Sequence, residues 1–179
     1  MQGNREQSRA RILSASLDLL LQTGPGGWTL EAVANRARCA KGLVLYHFGS
    51  KDELLASTAE QLARQRLAAR VEALAPGGAT GLDRLWQLLL VEIADGQFRL
   101  WLTLLADPRT QPLVGMDPAS RHTLAVAAAT ALDLPTSTPG LRTLPSALDG
   151  FQIALFEKED QTVVREAYDR WWLDLVAEA

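Results

Sequence analysis

Apolar residues recur three and four positions apart through almost the whole chain, while the alternating pattern of a half-buried strand is nearly absent. Cut by short Gly/Pro clusters, that periodicity predicts an all-α fold of about nine helices and no sheet. Asn4 and Gln7 resemble a capping pair for a first helix carrying Ile12, Leu13, Leu17, Leu20 and Leu21, which Gly24-Pro25-Gly26-Gly27 ends. Thr29 caps a short helix that buries Leu30, Val33, Ala34 and Ala37, and a second short helix runs from Ala40 to about His47. Ser50 and Glu53 form a capping box opening a longer helix, Lys51 to about Leu74. Ala75-Pro76-Gly77-Gly78-Ala79 is the clearest internal boundary. Beyond it, helices are expected over Leu82–Ile93, Phe98–Ala106, Pro118 to about Leu132, Thr143–Glu157 and Asp160–Ala177.

Composition matters mainly for what it excludes. Among 179 residues the single Cys39 rules out an intramolecular disulfide framework and a multi-cysteine zinc site, and His47 and His122 leave little for a histidine metal centre. No run of about 18 apolar residues exists to span a membrane, and the N-terminal stretch reads as mature helix, so a cytoplasmic location is expected. The net charge of −3 hides an asymmetry. Residues 1–56 carry seven basic side chains against five acidic, a balance of +2, and the remainder carries −5.

Two short helices joined by a tight turn behind a long first helix make a helix-turn-helix arrangement. The first would cross a DNA backbone, and the second is short enough to enter a major groove. Gly42 permits close approach of its backbone to phosphate, and the amides opened by the Ser50 cap can converge with Lys51 on another. Tyr46, His47 and Lys51 are therefore expected phosphate contacts, and Lys41 and Leu43 expected base-edge contacts. Thr29, Arg38, Ala40 and Gly42 complete the expected DNA-binding set.

The run RARILSASLDLLLQTG (9–24), then WTLEAVANRA (28–37), AKGLVLYHF (40–48) and GSKDELL (49–55), resembles the DNA-binding domain of the tetracycline-repressor (TetR) family. It departs in the turn, where Arg38-Cys39-Ala40 replaces the family's usual Gly-Val-Ser, and at Leu45, where the family's first aromatic is missing. The resemblance implies a helix-turn-helix domain over 1–55 and a helical effector-binding and dimerisation domain over 56–179. It further implies a homodimeric regulator, in most members a repressor, released from a double-stranded palindromic operator by a small molecule. The alternative is a helical adaptor that has lost sequence-specific DNA binding and acts through protein partners.

In the C-terminal part, two apolar seams are expected to form the dimer interface: Leu144, Leu148, Phe151 and Leu155 on one helix, and Val164, Tyr168, Trp171 and Leu175 on the other. Trp86, Leu89, Phe98, Trp101, Met116 and Phe151 are candidate lining for a small-molecule pocket, with Glu92, Arg99 and His122 as polar candidates. Cys39 reads as a small filler in the turn. No catalytic residues, metal or cofactor are expected, because His47 with Cys39 or Ser50 lacks an orienting third group and an oxyanion element.

Overall fold

The computed structural model describes residues 2–179, with side chains from Arg5 onward. Among the described residues there are nine helices of at least seven residues and no strand. They are α1 (Gln2–Gly27), α2 (Leu30–Arg36), α3 (Lys41–Phe48), α4 (Lys51–Leu74), α5 (Gly78–Ala94), α6 (Gln97–Ala106), α8 (Pro118–Leu132), α9 (Leu144–Phe156) and α10 (Gln161–Ala177). A single turn, α7 (Gln111–Val114), and a 3-10 turn (Pro139–Arg142) join them.

The punctuation works much as the residue types dictate. Asp117 accepts from the Ser120 amide at 2.9 Å and Asp160 from the Thr162 amide at 2.8 Å, so each caps its helix. At the N-terminus α1 is already helical from Gln2, so Asn4 lies inside the helix rather than at its cap, and its side chain lies outside the described residues. Gly24 ends the regular run of α1, as its position before Pro25 leads one to expect. Its backbone (φ 65, ψ −177) leaves the helical region, and Pro25 then starts a last turn to Gly27.

The chain divides into two compact units. Unit 1 comprises residues 1–64 and 99–115, and unit 2 comprises 65–98 and 116–179, so the boundary expected at 55/56 falls inside α4. In unit 1, Ile12, Val33, Val44 and Leu54 are fully buried. Trp28 bolts the helices of this unit together. Its indole Nε1 donates to Ser16 Oγ at 3.0 Å, Ser16 lies 2.8 Å from Thr58 Oγ1, and Thr58 donates to Leu54 O at 2.7 Å. Every polar atom that this tryptophan and two hydroxyls bury is thereby used, in the manner buried tryptophans require.

Much of the expected dimer seams lies in the core of unit 2. Leu144, Leu148, Val164, Tyr168 and Leu175 are buried in their own protomer, and Phe151, Leu155 and Trp171 are half-buried. Both seams turn inward because the aromatic side chains have partners within the unit: Tyr168 stacks on Trp86 at 5.2 Å and donates its hydroxyl to Leu82 O at 2.8 Å. Trp172 is buried beside half-buried Trp171, with the two rings 4.8 Å apart at 85°. The apolar side chains left exposed on α9 and α10 are Ile153, Val163, Leu173 and Val176.

Candidate nucleic-acid interface

α2 and α3 pack through Val33, Ala34, Val44 and Phe48, all buried, which fixes the angle between them. The turn between them depends on Arg38, whose φ of 51 lies in the left-handed region. That conformation costs a side-chain-bearing residue about 1 kcal/mol. Two amides secure it: Arg38 N–H donates to Asn35 O at 3.1 Å and Cys39 N–H to Ala34 O at 3.0 Å. Thr29 Oγ1 accepts from the Ala32 amide at 3.1 Å, so its hydroxyl is engaged as the α2 cap.

The other face of α3 points to solvent. Lys41, Gly42, Leu45 and Tyr46 are exposed, and Leu43 and His47 are half-buried. Tyr46, at 64% exposure, is a large aromatic that no internal packing explains. A Cβ placed on Gly42 would meet nothing within 4 Å, so the chain's own packing does not require glycine there. The N-cap Ala40 makes no side-chain hydrogen bond, which leaves the first-turn amides of α3 without a side-chain partner.

α1 adds two cations that the sequence reading did not include. The Arg5 guanidinium lies 5.3 Å from the Tyr46 ring centroid, and that of Arg9 lies 5.0 Å from the Phe48 ring. Between them, Ser8 Oγ stands 2.7 Å from His47 Nε2. Burial, then the charges of Arg5 and Arg9, push the His47 imidazole below its ordinary range, so the ring is neutral at pH 7. The missed signal was positional: Arg5 and Arg9 continue, toward the N-terminus, the stripe of α1 that buries Ile12 and Ser16.

Lys51 opens α4 and holds its Nζ 5.4 Å from the Trp28 ring centroid. The Ser50–Glu53 capping box forms only by half. Glu53 N–H donates to Ser50 Oγ at 3.1 Å, but the Ser50 amide turns back to Phe48 O at 2.8 Å instead of meeting the glutamate. Gly49, with φ 74, makes that reversal possible.

A buried hydrophobic wedge, an outward short helix and flanking cations are the parts of a DNA-reading motif. Residues 12–58 match the family described as bacterial regulatory proteins, tetR family. Residues 12–58 thus resemble the helix-turn-helix of the TetR family. The TetR-family match extends to whole regulators in part. BetI, an HTH-type transcriptional regulator of Paraburkholderia phytofirmans, is 44% identical over 62 residues, which is 35% of this chain and 32% of that protein. BetI of Burkholderia thailandensis is 30% identical over 115 residues, 62% of this chain and 59% of that one. The chain thus spans from about a third to about three fifths of the length of these relatives.

Among solved structures, the multidrug binding protein EbrR in complex with imidazole is 26% identical, with a TM-score of 0.64 over 92% of this chain and 89% of that one. The fold is shared with SCO7518 of Streptomyces coelicolor (21% identity, TM-score 0.71, 92% and 98% covered). It is shared too with a TetR-family regulator from Marinobacter aquaeolei (16% identity, TM-score 0.60, 98% of each chain covered). The TetR family and the BetI relatives are transcriptional regulators, not enzymes. No helix of the described residues is long and apolar enough to cross a membrane.

Outside the TetR-family module, the six candidate pocket residues do not all fall in one unit. Trp86, Leu89 and Phe98 are buried in unit 2, where Met116 and Phe151 are half-buried. Trp101 belongs to unit 1 and donates its indole N–H to Val114 O at 3.2 Å. Of the polar candidates, Glu92 is buried in unit 2, whereas Arg99 and His122 are exposed.

Proposed function

We propose that the protein is a cytoplasmic transcriptional repressor that binds a palindromic DNA operator as a homodimer and is released from it by a small molecule. The observation that carries this reading is the outward face of α3, where exposed Tyr46 and Lys41 are flanked by Arg5 and Arg9 of α1 and by Lys51 of α4. Cations around the C-terminal half of a short exposed helix suit phosphates beside a groove, which hold register, while Lys41 and Leu43 face the base edges. Arg38 adds a cation at the turn, and neutral His47 adds no charge. A second copy of the chain would cover Ile153, Val163, Leu173 and Val176, an apolar set exposed by α9 and α10.

The effector would enter unit 2, whose interior holds Trp86, Leu89, Phe98, Met116 and Phe151. EbrR, of related fold, is a multidrug binding protein solved with imidazole, malachite green and ethidium. The effector acts by preferring dimers whose two heads do not match the half-site spacing, about 34–36 Å for one helical turn, and can shift the balance only by that preference. Selection of bound sequences from a random duplex library tests the reading. A palindromic motif is the expected result, and recovery of no motif would favour the adaptor alternative.

A further inference from the structure

Five polar side chains from three helices meet inside unit 2: Arg66 and Arg70 of α4, Glu92 of α5, and Asp149 and Gln152 of α9. Arg66 and Arg70 each donate an Nη2 hydrogen to Gln152 Oε1 at 2.9 Å. Gln152 Nε2 donates to Glu92 Oε2 at 2.8 Å, and Arg66 Nη2 donates to the same oxygen at 3.1 Å. Arg70 Nη2 donates also to Asp149 Oδ1 at 3.1 Å. Arg70, Glu92 and Gln152 are each no more than 1% exposed.

Two guanidiniums and two carboxylates balance, yet the network is unfinished. Glu92 Oε1 accepts no hydrogen bond and Arg70 Nε donates none, while the two side chains approach to 3.7 Å through Arg70 Nη2 and Glu92 Oε2. Buried polar atoms are ordinarily satisfied, and an open acceptor and an open donor on two adjoining side chains are the complement of a group that both donates and accepts. The Phe98 ring centroid lies 5.8 Å from the Arg66 guanidinium, and Gln152 Nε2 donates also to the backbone oxygen of Leu89 at 3.3 Å. Asp149, with 24% of its side chain exposed, opens the cluster to solvent on one side.

We propose that this cluster is the polar end of a ligand site in unit 2, taking a neutral small molecule with a hydroxyl or primary amide on an apolar body. It rests on the effector reading above. The hydroxyl or amide donates to Glu92 Oε1 and accepts from Arg70 Nε. Charge balance selects neutrality: a cation would be added beside two guanidiniums, and an anion beside Glu92 and Asp149, each leaving an uncompensated buried charge.

Four size-matched probes test this on the full chain by calorimetry: benzyl alcohol, benzamide, benzoate and benzylammonium. The two neutral probes are expected to bind about tenfold more tightly than either ion. Asp149→Asn, at a partly exposed position, removes one negative charge, so its ranking should move toward benzoate by a similar factor; Glu92→Gln should do the same. Circular dichroism establishes that each variant is folded. Charged probes binding as well as neutral ones, or an Asp149→Asn ranking like that of wild type, would overturn the site. So would a crystal structure soaked with benzamide showing only a water joining Glu92 Oε1 to Arg70 Nε. Operator displacement, measured in parallel, separates the two readings. Neutral-selective binding that leaves DNA bound keeps the site and removes the effector role. Displacement by another compound, without neutral selectivity, removes the site alone.

Discussion

Arg38 stands where the chain needs a left-handed residue, and it stands there as an arginine. Arg38→Gly is expected to stabilise the fold by about 0.5–1 kcal/mol in urea unfolding, because glycine takes this backbone without a Cβ clash. The same change should weaken DNA binding by removing one cation, so stability and affinity move in opposite directions. A second residue couples stability to pH. Burial and the charges of Arg5 and Arg9 lower the His47 value below its ordinary 6.5, so near that pH the unfolded chain binds more protons than the folded one. The stabilising contribution is therefore present above about pH 6.5 and is lost as pH falls through the lowered folded value. In urea titrations at about pH 7.5 and 5.5, wild type should lose more stability than His47→Gln. Equal losses would mean that His47 carries no such penalty.

At the scale of elements, α3 and the start of α4 should divide the work between them. Lys41→Ala is expected to change preference among operator variants, whereas Lys51→Ala should weaken specific and random DNA alike and reduce the magnitude of the salt slope by about 1. Fluorescence anisotropy across a salt series reads both; a Lys51→Ala effect confined to sequence preference would reverse the assignment. Several helix ends were legible in the sequence because their causes are local: Thr29 caps with its own side chain, and Pro118 can only begin a helix. Facing was not. An apolar stripe such as Val164-Tyr168-Leu175 reads the same whether it meets its own chain or another copy, and only the Trp86 ring and the Leu82 carbonyl decide it. Charges far apart in sequence, such as Arg66, Arg70 and Asp149, carry no sign of their meeting until folding gathers them about Glu92. Arg5 and Arg9 went unread because their aromatic partners lie about 40 residues further on.

At the scale of the whole molecule, the test is of assembly. Val163 and Leu173 are 58% and 65% exposed, large values for apolar side chains. Val163→Asp combined with Leu173→Asp should therefore keep helical content while converting dimers to monomers in sedimentation velocity. Operator affinity should fall on the order of a hundredfold, since two linked heads gain from one another what single heads cannot. A variant still dimeric would move the interface elsewhere. The turn of the reading head supplies the means to watch such an assembly work. Cys39 is the chain's one thiol, free and half-buried beside Arg38. A proposed dimer therefore carries one thiol per head and no other, so a spin label or a fluorophore pair attached there, with no engineered residue, becomes a molecular ruler. The distance it reports is the quantity on which operator fit depends, and adding DNA or an effector should lengthen or shorten it in real time.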